Sequence, residues 1–150
     1  MGVTLHRILN NLVTLTVPFA DDAEWLIALK KEHFPERVYE PHIPEQVIKV
    51  VKKSMKADRN NRYQNCLQFR QALLKIPLAI EWTPIDSDNW QGSYNNETYE
   101  LNLYSKRTGY FIDFKRNDRK INNKCCVNII NEDDARKEFF KIIRETTIKV

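Results

Sequence analysis

The hydrophobic period of the chain changes at Pro77, and this change limits the folds that the sequence can form. Up to residue 76 the apolar residues recur at the spacing of amphipathic helices, whereas after residue 77 they alternate with polar residues, as in half-buried strands. A chain of 150 residues with 42% hydrophobic side chains can bury a core without metal or disulfide support. The sequence therefore predicts an α+β protein with a helical segment over residues 1–76 and a sheet-containing segment over residues 77–150.

Four helices are predicted in the first segment. The first runs from the start of the chain and carries Leu5, Ile8, Leu9 and Leu12 at helical spacing, with no N-cap ahead of it. The others are a helix capped at residues 21–22 that ends near Phe34-Pro35, a helix opened by Pro44 that runs to Met55, and a helix over residues 65–76.

A small antiparallel β-meander covered by a C-terminal helix is predicted in the second segment. Strands are expected near residues 79–82, over 99–104 and over 110–115, with a two-residue turn at Asn117-Asp118 leading to a third full strand around Cys125, Val127 and Ile129. Asn131 is placed to cap the last helix, whose inner face would be Ala135, Phe139, Ile142 and Ile143.

Six stretches of the first 76 residues follow one another in a familiar order: Met1–Leu9, Val17-Pro18-Phe19, residues 21–35, Ile43-Pro44-Glu45, Met55–Tyr63 and Gln64–Leu74. In this order they resemble the end of a bacterial-type Ser/Thr protein kinase domain, from helix F of its C-terminal lobe onward, with Met55–Tyr63 similar to "kal-x-D-P-x-x-R-y" and Gln64–Leu74 similar to helix I. Arg59 stands where that pattern has Pro, and the Asp-x-Tyr/Trp-Ser motif that precedes helix F in the family is absent. The residues and motifs of the second segment resemble no family.

The catalytic motifs of protein kinases are absent from the 150 residues. There is no Gly-rich loop, no Ala-x-Lys, no His-Arg-Asp and no Asp-Phe-Gly, so this chain by itself supplies neither a phosphate cradle nor a magnesium site nor a base. The resemblance then implies a non-catalytic C-terminal region of a Ser/Thr kinase, truncated or remnant, that acts in protein–protein interaction or regulation. Its partner would be another protein or the missing kinase lobe.

Three residues of the first segment are candidates for contact with such a partner. In the kinase family the residue matching Arg62 pairs with a Glu of the activation segment, and no such Glu is present here, so Arg62 is either free for another carboxylate or merely solvated. Leu5 and Leu9 lie on a helix that is buried in kinases. If nothing replaces the missing lobe, they form an apolar patch that favours a homodimer. A purely structural dimer is therefore one alternative function.

Aromatic residues are concentrated in the second segment and provide its candidate binding site. The stretch Trp90–Tyr94 is polar in its middle and is predicted to be a loop, which makes it the preferred contact site. Trp, Tyr and Arg dominate binding hot spots, and the full candidate set is Trp90, Tyr94, Tyr104, Arg107 and Tyr110. Three other aromatic residues are instead expected to be buried in the core: Trp82, Tyr99 and Phe114.

Nucleic-acid binding is a further alternative, because helix, strands and helix in this order resemble a double-stranded RNA-binding domain. Three features argue against it: the last helix begins with acidic residues, the second segment is neutral overall, and the basic run at 115–120 is explained by strand-edge solubility.

Cofactor, metal and export signals are all absent. The three His residues have no Cys or carboxylate at ligand spacing, and no cofactor motif is present. Cys125-Cys126 lacks the setting of a nucleophile. With an odd cysteine count, no signal peptide and no apolar run that could cross a membrane, the sequence predicts a cytoplasmic protein.

Overall fold

The computed structural model describes residues 2–10, 18–121 and 128–148. The protein has an α+β fold, as predicted, and its chain divides into two compact units, residues 1–76 and 77–150. The first unit is helical, and the second contains an antiparallel sheet and one helix.

The helices of the first unit are α1 (Gly2–Leu9), α2 (Asp22–Lys30), α3 (Glu45–Ser54) and α4 (Cys66–Leu74). The predicted N-cap of α2 is confirmed, because the side chain of Asp21 accepts from the Glu24 amide. At the start of α4 the side chain of Asn65 accepts from the Gln68 amide in the same way, and each cap satisfies an amide that the helix itself cannot. Leu12 belongs to the residues outside the described part of the chain.

The contact between α1 and α3 organises the first unit. Gly2 faces Ser54 and Met55 so closely that a Cβ at this position would overlap the Ser54 side chain. One turn later His6 is buried, with its ring edge-on to Tyr39 at 5.2 Å. Asn10, directly after α1, fixes the segment around Tyr39, since its side chain donates to the Val38 carbonyl at 3.0 Å and accepts from the Glu40 amide at 3.2 Å. The α1 helix therefore anchors the segment before α3.

The second unit contains β1 (Glu81–Pro84), β2 (Asn89–Tyr94), β3 (Glu97–Lys106), β4 (Gly109–Arg116), β5 (Arg119–Lys120) and β6 (Asn128–Ile129), followed by α5 (Glu132–Thr146). Strands β1 to β5 are hydrogen-bonded in chain order as an antiparallel meander, and β6 also pairs with β4, at its other end. The predicted strand residues Cys125 and Val127 lie outside the described residues.

Two-residue turns set the register of this sheet. Asn95-Asn96 and Asn117-Asp118 all have positive φ, which short polar residues tolerate and which matches the twist of a tight hairpin. The turn predicted at Asn117-Asp118 is thus confirmed. Gly109 has a φ of +137°, and a Cβ there would lie 2.5 Å from the Ile129 carbonyl oxygen, so its lack of a side chain admits the β6 backbone.

The core of the second unit lies between one face of the sheet and α5. The predicted inner face of α5 is confirmed, since Ala135, Phe139, Ile142 and Ile143 are all buried. They meet sheet residues that point to the same side: Trp90, Tyr99, Leu101, Leu103, Ile112 and Phe114. The indole of Trp82 adds a hydrogen bond to Thr146 Oγ1 at 3.0 Å. The chain end is held as well, because the amides of Ala79 and Ile80 donate to the carbonyls of Thr147 and Thr146.

The prediction of a loop over Trp90–Tyr94 is wrong, because these residues form most of β2. Trp90 is only 8% exposed and packs edge-on to Phe140. The middle of the strand looked polar because Gly92 occupies the inward position between Trp90 and Tyr94. The Trp82 ring lies over Gly92, so close that a Cβ would come within 3.0 Å of it. A glycine here replaces an apolar side chain and hides the two-residue period.

Candidate binding surface on the open face of the sheet

The sheet of the second unit has one face that no described helix of that unit covers. Strand alternation places the residues on it: Gln91 and Ser93 from β2, Thr98, Glu100, Asn102, Tyr104 and Lys106 from β3, and Phe111, Asp113 and Lys115 from β4. Lys120 of β5 lies opposite Lys115 on the same side. We call this surface the open face.

An aromatic and cationic cluster lies at one end of the open face. Tyr104 and Phe111 are directly opposite each other in the β3–β4 ladder, and Tyr104 is 42% exposed. The ammonium groups of Lys106 and Lys120 lie 4.3 and 5.0 Å from the centroid of the Phe111 ring, which is the geometry of cation–π attraction. Two positive charges thus lie over Phe111, whose register partner Tyr104 is exposed.

Asp113 neutralises part of this surface. Its carboxylate lies 3.4 Å from Lys115 Nζ and 3.8 Å from Lys120 Nζ, and the residue is 7% exposed. The bond to Asp113 raises the pKa of Lys115 above its ordinary value, because the carboxylate favours the charged ammonium. The opposed pair Lys115 and Lys120 therefore shares a counter-ion, whereas no described carboxylate pairs with Lys106 in an ion pair.

The charges of the second unit are segregated along its sheet. Residues 77–103 contain five acidic side chains and no Lys or Arg, whereas residues 104–120 contain six basic and two acidic ones. Since β1 and β2 lie at one edge and β4 and β5 at the other, the first edge is acidic and the second basic. The overall neutrality of this half of the sequence conceals a basic edge that attracts anionic groups.

The predicted site residues do not form one site. Trp90 is a core residue, and Tyr94 is a half-buried residue packed against the same core, so neither supports the predicted contact loop. Tyr110 also faces the core side, where its hydroxyl donates to Glu132 at 3.0 Å, and this bond raises the pKa of Tyr110. Only Tyr104, on the open face, and Arg107, in the adjoining β3–β4 turn, lie at the basic cluster.

Sequence reasoning missed Phe111, Lys106 and Lys120. The signal for the first two was present, because a two-residue turn at Arg107-Thr108 pairs Lys106 with Gly109 and hence Tyr104 with Phe111. Alternation then puts Lys106 on the same face. Lys120 could not be found in this way, since its position over the ring depends on the reach of a long side chain across Asp113.

In the first unit, Arg62 is held by backbone. Its guanidinium donates to the carbonyls of Lys56 and Ala57, which fixes an exposed side chain and uses only some of its donors. Leu5 and Leu9 are half-buried, and the exposed apolar side chains of α1 are Val3 and Ile8, the latter 69% exposed. A cleft of about 410 Å³ in this unit is lined by Val3, Leu26, Leu29, Phe34, Met55 and Arg62, among others.

Within the described ranges, no group of three or more His, Cys, Asp and Glu residues is arranged to hold a metal ion. The part of the chain that the structure describes also has no helix that is both long and apolar enough to cross a membrane. Comparison of the chain with protein-family models, with curated proteins and with solved structures found no match.

Proposed function

We propose that this protein is a non-catalytic interaction module in which the second unit binds an acidic protein segment on the open face of its sheet. The observation that carries the proposal is the cluster of Tyr104, Phe111, Lys106 and Lys120 on a basic sheet edge. The two ammonium groups would pair with carboxylates, and the exposed ring of Tyr104 would contact an apolar side chain between them.

The geometry favours a protein segment over a single-stranded nucleic acid. Nucleic-acid platforms present free aromatic faces on which bases stack. Here Lys106 and Lys120 already lie over the ring of Phe111, which leaves only Tyr104 exposed for stacking. Peptide carboxylates need no such platform, since they can pair with the lysines where they are.

The first unit would serve as the non-catalytic end of a Ser/Thr kinase domain, as its resemblance implies, and would contact the catalytic lobe of a longer parent or of a partner. Its apolar cleft and the exposed Val3 and Ile8 support this proposal, because such surfaces favour association. The coding DNA upstream of Met1 tests it directly. A frame that encodes the Gly-rich loop, His-Arg-Asp and Asp-Phe-Gly supports the proposal, and an immediate stop codon contradicts the longer parent.

The open face is tested by titrating the labelled full chain with short synthetic peptides and following backbone amide signals. The peptides contain several Glu and one Phe, and in the matched set each Glu is replaced by Gln. We expect shifts centred on residues 104–111 with the Glu peptides only. Tyr104→Ala and Lys106→Glu should each weaken binding about fivefold or more, and added salt should weaken it further.

Lys137→Glu is the matched control for Lys106→Glu. Lys137 lies on α5, its side chain is 77% exposed, and its substitution makes the same change of charge away from the open face. Equal losses in both variants would reduce the effect to net charge and refute the site. Preferential binding of a single-stranded oligonucleotide, lost in Tyr104→Ala, would replace the proposal with nucleic-acid recognition. If no titrated peptide shifts the signals of residues 104–111 and light scattering gives a dimer, the module is structural.

A further inference from the structure

Two arginines face each other across the β4–β5 turn. Arg116 and Arg119 are register partners that flank Asn117-Asp118, on the sheet face opposite to the open face. Directly opposed residues of an antiparallel pair have Cβ atoms about 5 Å apart, and like charges at such positions are destabilising. The arginines therefore repel each other unless an anion lies between them.

The counter-charge available to the arginines is incomplete. Glu97 lies 3.7 Å from Arg116 Nη1, and its other oxygen accepts from the Tyr99 hydroxyl at 2.8 Å. Arg119 forms no ion pair with a carboxylate anywhere in residues 2–10, 18–121 and 128–148. The lysine pair of the same two strands differs, because Asp113 lies within reach of both of its members.

A cleft lies beside this arginine pair. Its volume is about 500 Å³, and it is lined by Glu97, Arg116, Asn117, Arg119, Lys120 and Ile121. The lining thus carries three cations against one carboxylate. The backbone is fixed here, because the Asn117 amide donates to the Thr98 carbonyl at 2.9 Å and the Asn117 side chain accepts from the Thr98 amide at 2.9 Å.

We propose that the Arg116–Arg119 cleft binds the phosphoryl group of a phosphorylated side chain in the protein segment that the open face takes. The inference rests on the proposed function. A phosphate dianion matches the two guanidiniums better than a carboxylate does, because it brings about two negative charges and three acceptor oxygens to donors that already form planar forks. Lys120 lines the cleft and also reaches the open face, so one segment could engage both surfaces.

The test compares three otherwise identical Glu-containing peptides with a central phosphoserine, serine or glutamate, titrated into the full chain. Binding is followed by fluorescence anisotropy and by the side-chain Nε–Hε signals of the arginines. We expect the phosphoserine peptide to bind about tenfold more tightly than the serine peptide, with shifts in the signals of Arg116 and Arg119. Arg116→Gln and Arg119→Gln should each reduce this preference to threefold or less.

Arg144→Gln is the charge-matched control, because Arg144 is exposed on α5 and should leave the preference unchanged. The wild-type protein offers a check that does not depend on whether a variant folds. Inorganic phosphate should shift both arginine signals more than chloride does at equal ionic strength. The proposal is overturned if phosphoserine and serine peptides bind equally, or if an oligonucleotide outcompetes the phosphopeptide at the same arginines.

The two proposals can fail separately. If Glu peptides shift residues 104–111 but phosphorylation adds nothing, the open face remains a site and the phosphoryl cleft is refuted. If phosphoserine preference persists in Tyr104→Ala and Lys106→Glu while Glu peptides without phosphate do not bind, the cleft acts alone, and joint binding of one segment by the cleft and the open face is refuted.

Discussion

Replacing Trp90 distinguishes a core residue from a binding residue. In the structure Trp90 is 8% exposed, lies opposite Leu101 and Pro84 in the sheet, and contacts the Phe140 ring with 6.4 Å between centroids. A buried aromatic side chain removes about 150–250 Å² from water, which at about 25 cal/mol per Å² corresponds to roughly 4–6 kcal/mol. Core truncations of this kind cost about 3–5 kcal/mol when measured.

We therefore expect Trp90→Ala to lower the free energy of unfolding of the second unit by about 3–5 kcal/mol. A domain of this size is stable by only roughly 4–11 kcal/mol, so the variant should be partly or wholly unfolded at 37 °C. The assay is urea denaturation of the full chain, followed through the dispersed amide signals of β3 and β4, which report on the second unit alone.

Tyr104→Ala is the comparison variant, because Tyr104 is aromatic and in the same sheet but 42% exposed. It should change stability by less than about 1 kcal/mol and yet weaken peptide binding. A loss below about 1 kcal/mol in Trp90→Ala, together with lost binding, would refute the core assignment and restore the Trp90–Tyr94 segment as a contact site.

Three further outcomes follow from packing, capping and titration. Gly92→Ala forces a Cβ into Ile80 and Trp82 and should cost about 1–3 kcal/mol in urea unfolding. Asn131→Ala removes the cap on the Asp133 amide and should cost about 1 kcal/mol, whereas Asn131→Asp should cost little. Burial lowers the folded-state pKa of His6 and of His42 below 6.5, so the unfolded chain binds more protons than the folded chain. The stability of the first unit should therefore fall as the pH drops below 6.5. His6→Gln should flatten this dependence of stability on pH, and an unchanged slope would contradict the lowered pKa of His6.

Signals within a few residues of the sequence were sufficient to predict most of the described helices and strands. Side-chain caps at Asp21 and Asn131 and the turn at Asn117-Asp118 depend on interactions within a few residues, so the sequence alone located them. The inner face of α5 was predicted for the same reason, since helical period and burial agree there. The one described strand that was predicted as a loop is β2, where the period is broken by a glycine whose role depends on β1.

The predicted site shows where sequence reasoning stops. Strand alternation separates Tyr104 from Tyr110, but a list of aromatic residues mixes the two faces, and only the helix position decides which face is covered. The opposition of Arg116 and Arg119 follows from the turn, whereas the absence of an ion pair to Arg119 within the described residues depends on every neighbouring element.

The sequence by itself determined the α+β composition, the change of structure at Pro77, the helix caps at Asp21 and Asn131 and the tight turn at Asn117-Asp118, because each depends on hydrophobic period or on contacts between near neighbours. Only the tertiary structure decided that Trp90 is core and that Lys120 joins Lys106 over Phe111. The physical reason is that burial and charge pairing depend on which side chains lie next to each other in space. For Trp90 those neighbours include Phe140, on a helix far along the chain, and for Phe111 they include Lys120, on a different strand.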